Sequence, residues 1–196
     1  WGDQNVANPL VVPKTTIGQA KYVASFFDDE PLDGILGLAF PSLAEAGATP
    51  PFQEAINQGL VDQPLFTVWL EHEGNQENVY GGAFTWGAID TDNCGGIIGY
   101  AQLSSATYFQ FRLQTISVGS FKSSSGWEVI TDTGTSLLSL TQDVYDDVGK
   151  ALGGQLNDLG LYTIPCDATT PDIQLIVSGM TLNIKTANLI EQASDR

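Results

Sequence analysis

The segment Asp132-Thr133-Gly134-Thr135-Ser136 is entered by Val129-Ile130 and left by Leu137-Leu138. An acidic residue in a turn of small residues, clasped between two apolar strands, is a way to hold a carboxylate rigidly inside a dry cleft. Gly134 has no side chain, so the backbone N–H groups of the turn can approach the carboxylate closely. Thr133, Thr135 and Ser136 supply hydroxyls able to fix its orientation. Taken alone, Asp-Thr-Gly is also an ordinary hairpin turn. The apolar flanks argue against that reading, because a solvated turn does not need them on both sides.

The rest of the composition narrows the chemistry. Of 196 residues, 42% are hydrophobic, enough for one or two ordinary globular domains. There are 23 acidic and 7 basic side chains, a formal charge of −16. Such a surface repels nucleic acid and anionic lipid, both of which need clustered Lys and Arg. No apolar run reaches the length of a membrane span, and Trp1-Gly2-Asp3-Gln4 has no signal-peptide character. With a pI near 4.1, self-repulsion fades around that pH, which suits an acidic compartment. His72 is the sole histidine and sits in the polar turn Glu71-His72-Glu73-Gly74. A lone loop histidine argues against zinc chemistry and against a Ser-His-Asp or Cys-His mechanism. Cys94 and Cys166 are the only cysteines and form no metal-ligand pattern. No metal and no cofactor is expected.

Gly, Thr, Val and aromatics, with turn signals about every ten residues, describe a mostly β protein. Phe66-Thr67-Val68-Trp69-Leu70 alternates as a strand, and residues 79–87 read as its partner, with Gly where backbones approach. Residues 108–118 alternate again and direct Phe109, Phe111, Leu113 and Ile116 toward a core. Lys122 to Trp127 reads as a hairpin tip before the strand that delivers Asp132. Two short helices are expected. One carries Phe52 and Ile56 and stops at Gly59. The other is N-capped by Thr141, with Val144, Val148 and Leu152 on one face. Asp33-Gly34-Ile35-Leu36-Gly37-Leu38 reads as a strand of apolar-apolar-Gly type.

Six ordered stretches together resemble the pepsin-like aspartic proteases, cathepsin D and its digestive relatives in particular. They are residues 33–41, 58–66, 81–90, 108–111, 132–136 and 162–173, nearly the whole chain. The resemblance implies a mostly β, bilobal fold present only in part. Residues 1–92 would belong to the late amino-terminal lobe and interlobe strands, and residues 93–196 to most of the carboxyl-terminal lobe. It further implies an aspartic endopeptidase acting at acid pH on polypeptide substrates, secreted or lysosomal. Two carboxylates would share one proton, the ionised one activating water and the protonated one donating to the scissile carbonyl. Asp132 would be one of the pair. Gly134 and Ser136 would hydrogen-bond its carboxylate and the substrate backbone, and Thr135 would tie the turn to its partner loop. Tyr108 and Ile130 would wall the subsites, although both also read as plain core packing.

The departures are as specific as the matches. The family's first Asp-Thr-Gly loop and its flap hairpin lie upstream of anything in this sequence, so the rest of the same enzyme is the expected partner. The family's final apolar-apolar-Gly-Asp strand and last cysteine are also absent. By the resemblance, Cys166 would bond to a cysteine beyond Arg196, while a Cys94–Cys166 pair stays open. Two alternatives remain: a catalytically inactive, protease-like binding protein, and a homodimer bringing two copies of Asp132 across a two-fold axis.

Overall fold

Alternating residues in Phe66–Leu70 form strand β1, which pairs antiparallel with β2, Gly82–Trp86, in the computed structural model of the chain. The structure describes residues 1–2, 9–25, 27, 32–74, 76 and 79–191. Gly82 lies opposite Leu70, with φ at 141°. A Cβ there would stand 2.3 Å from the Trp69 carbonyl oxygen, so the strand pairing itself requires glycine. Gly82→Ala is therefore expected to destabilise the protein by about 1–3 kcal/mol. A lowered urea midpoint at unchanged slope checks this.

Helix α1, Pro51–Asn57, packs on this hairpin and buries Phe52 and Ala55. The inward spacing is thus three residues, and Ile56 is only half-buried. Phe52 meets Phe66 edge-on at 5.3 Å between ring centroids, and Phe66 meets Trp86 at 5.8 Å. The same aromatic cluster reaches the second half of the chain, where Phe66 meets Phe109 edge-on at 5.5 Å and Phe40 lies 5.1 Å from Phe109. The Phe40 N–H also donates to the Thr107 carbonyl at 2.9 Å.

The larger sheet is built around one long strand. β3 (Leu103–Ala106), β4 (Phe109–Val118), β5 (Phe121–Ser123), β6 (Trp127–Ile130), β9 (Ile173–Val177) and β10 (Met180–Ile184) are all antiparallel, ordered β10-β9-β4-β3 with β5 and β6 also on β4. A short pair, β7 (Gln155–Leu156) and β8 (Tyr162–Thr163), stands apart. Residues 119–120 make the turn from β4 to β5, and β6 continues along the same neighbour after a break at residues 124–126. The expected hairpin tip at 122–127 is thus an interruption within a continuing edge. The reversal lies at Gly119, which supplies the positive φ of 55°.

β4 carries a bulge between Leu113 and Thr115 against β9. Before it, odd-numbered residues face inward; after it, Ile116 and Val118 do, each 1% exposed. This reconciles Ile116 with Phe109, Phe111 and Leu113, which strict alternation would put on the opposite face. Helix α2, Gln142–Ala151, lays Val144 and Val148 on Leu113, Ile116, Val118, Ile173 and Val177. Thr141 occupies the N-cap position, but its hydroxyl donates to Asp143 instead of capping a backbone N–H. Residues 33–38 form no strand, and Ile35 is 86% exposed. Among the described residues no neighbouring strand pairs with them, and an extended segment without a partner leaves its backbone groups to water.

Candidate active site

β6 delivers the chain to Asp132, and the turn that follows closes on the carboxylate. The Gly134 N–H donates to Oδ1 at 2.9 Å and the Thr135 hydroxyl donates to Oδ2 at 2.8 Å. A Cβ on residue 134 would stand 3.2 Å from Oδ1, so the missing side chain does allow this approach. These two hydrogen bonds, Gly134 first, hold the Asp132 carboxyl below the ordinary aspartate range, because both favour the charged form. Of the three hydroxyls proposed to orient it, only that of Thr135 does so. Ser136 lines the adjacent groove.

The expectation of a dry cleft is not met. Residues 131–139 are all exposed, because no described element lies over the turn. What stands beside it is an open groove of about 1170 Å³, lined by Leu113, Ile116, Val129, Val177, Ile130 and Asp132 among others. His72, in the exposed loop after β1, reaches the rim of this groove.

Tyr108 and Ile130, the two residues expected to wall the subsites, fall in one row. Ile130 pairs with Gln110 across β4 and β6, and Tyr108 precedes Gln110 by two positions in the turn out of β3. Both are exposed, Tyr108 at 47% and Ile130 at 42%. The row continues into residues that the sequence reading missed. Glu128 pairs with Arg112, and its carboxylate accepts from Ser104, from Gln110 Nε2 at 3.3 Å and from Arg112 Nη1 at 3.4 Å. Ile130 and Tyr108 come from the family resemblance, whereas the period of two along these strands is the signal that points to Gln110, Arg112 and Glu128.

Cys94 is half-buried and Cys166 exposed, both as free thiols, so the open Cys94–Cys166 pairing is not formed. Among the described residues no group of His, Cys, Asp and Glu is arranged to hold a metal, and no helix is long and apolar enough to cross a membrane.

The family profile described as eukaryotic aspartyl protease matches residues 2–196. The chain is 46% identical to Aspartic protease 6 of Caenorhabditis elegans, over 95% of its own length and 48% of that protein's. It is 45% identical to Aspartic protease 2 of Necator americanus, over 94% of its own length and 44% of that protein's. Pepsin A of Suncus murinus is 35% identical, over 86% and 43% of the two lengths. A solved structure described as Haemonchus galactose containing glycoprotein complex superposes with a TM-score of 0.77 at 38% identity, covering 92% of this chain and 56% of that one. The chain thus spans about half the length of the relatives it matches. With its Asp-Thr-Gly carboxylate hydrogen-bonded at the end of a sheet strand, this chain belongs to the eukaryotic aspartyl protease family, as a mostly β, pepsin-like member.

Proposed function

We propose that this chain supplies one of the two carboxylates of an acid endopeptidase, with Asp132 as that residue. The observation that carries the reading is the Asp132 turn: both carboxylate oxygens are hydrogen-bonded by its own residues, yet the group stays open to solvent. An oriented, accessible carboxylate of lowered pKa suits the ionised half of a shared-proton pair, which takes a proton from water as that water attacks the scissile carbonyl. The protonated half then donates to the carbonyl oxygen. The second carboxylate would come from the first Asp-Thr-Gly loop in the remainder of the same enzyme. Gly134 and Ser136 border the place for the substrate backbone, and Tyr108 and Ile130 offer apolar surface to side chains flanking the cut. The acidic composition fits work in a secreted or lysosomal compartment.

The complete protein is expected to cleave denatured globin at roughly pH 3–5 and to be blocked by a pepstatin-type transition-state mimic. Digestion indifferent to that mimic, or absent altogether, would sink the reading. A protein that only binds peptides would need no carboxylate fixed in this way, which disfavours that alternative.

A further inference from the structure

The outward row on β4 and β6 does not stop at the apolar wall. Proceeding from Asp132 along β6, Ile130 and then Glu128 face the same side, with Val129 turned to the core. Successive same-side positions on a strand are roughly 7 Å apart. An extended peptide repeats at the same interval, so side chains facing Ile130 and Glu128 come from substrate residues two positions apart.

Glu128 is held for such a contact. Its Oε2 accepts from the Ser104 hydroxyl and from Gln110 Nε2, and its Oε1 is ion-paired with Arg112 Nη1 at 3.4 Å, a single solvent-exposed contact. A carboxylate oxygen accepts about two hydrogen bonds, which leaves Oε1 capacity for another cation. Arg112 lies directly across from Glu128 on β4. Its guanidinium sits where a Cβ on Gly126 would stand 2.6 Å away, and Gly126 belongs to the break preceding β6. The face of Glu128 toward Ile130 is therefore bordered by the neutral amide of Gln110. The side chains of both Arg112 and Glu128 are open to solvent, at 59% and 43%. Hydrogen bonds from Ser104, Gln110 and Arg112 also hold the Glu128 carboxyl below the ordinary glutamate range, so it stays ionised further into acid.

We propose that Glu128 forms a cation-selecting subsite, taking a Lys or Arg side chain two residues beyond the substrate residue that packs on Ile130, away from the scissile bond. This rests on the protease reading above. The subsite would bias a cleft with apolar inner walls toward peptides carrying a basic residue at one outlying position.

The test uses the complete protein and a set of peptides sharing one cleavage site, differing only at that outlying position as Lys, Leu or Glu. The Lys peptide is expected to exceed the Leu peptide in kcat/KM by about three- to fivefold, the worth of one solvent-exposed charge pair. The Glu peptide should fall below both. In Glu128→Gln the ratio of Lys-peptide to Leu-peptide kcat/KM should collapse toward one, and a thermal transition like that of the unmodified protein shows that the variant is folded. Equal rates for the three peptides in the unmodified protein, or a Lys preference surviving in Glu128→Gln, would overturn the subsite and leave the protease reading standing. Failure to cleave any of them, in an assay where pepsin succeeds, would overturn both.

Discussion

Asp132→Asn is expected to lower kcat of the complete protein by about a thousandfold or more while leaving the fold in place. The amide keeps the shape of the carboxylate, and its oxygen can still accept from the Gly134 N–H. Where Oδ2 now accepts from Thr135, the amide nitrogen can donate instead, because a threonine hydroxyl both donates and accepts. What the variant cannot do is carry a negative charge or exchange a proton, so the shared-proton pair is gone. The folded-state pKa of Asp132 lies below its ordinary value, so whatever stability its charge adds is present above the ordinary aspartate range and lost as pH falls through the lowered one. An amide has no such dependence. Turnover and thermal melting measured together check the claim. Comparable turnover in the variant would mean that another residue carries the chemistry.

Residues 1–196 expressed alone are expected to show no acid peptidase activity and to associate. One carboxylate cannot be acid and base at once in a mechanism that needs both. The surface tells the same story: Ile35 is 86% exposed, Ile17 82% and Ile98 77%. The groove beside Asp132 is bordered by Ile130, Leu137 and Leu138, all exposed. β6 has no second neighbour among the described residues, and β10 ends its sheet, so both present unpaired backbone. Strong binding of a hydrophobic dye and a concentration-dependent sedimentation profile are the expected observations. A monomeric, cooperatively melting and active 196-residue chain would place a second catalytic carboxylate within these residues.

Local pattern made much of this legible. Phe66–Leu70, Gly82–Trp86 and the two helices follow from periodicity and punctuation, and Asp132 from a motif whose hydrogen bonds lie within four residues of one another. The misreadings have a common origin in what local pattern cannot contain. Residues 33–38 have the composition of a strand, but a strand exists only with a neighbour. The break at 124–126 looks like a turn because Ser and Gly are turn residues, whereas its pairing is decided by β4, further back in the chain. Thr141 sits where an N-cap should, yet a nearby acid takes its hydroxyl. Nothing local marks Glu128, an exposed acid in an acidic chain, because its three donors, Ser104, Gln110 and Arg112, come from other strands.

The bulge at Leu113 and Thr115 has a consequence for how such a protein can change over generations. Without it, every other residue along β4 would belong to one face, and the whole strand would answer to a single set of demands. With it, residues 108–112 and residues 116–118 answer to separate ones. Gln110 and Arg112, on the outward face, can be exchanged while Ile116 and Val118 stay locked beneath α2. Gln114, at the seam, fastens the arrangement by accepting from the Gly179 N–H in the turn between β9 and β10. One extra residue in a strand thus separates the freedom of an outward face to change from the obligation to remain folded.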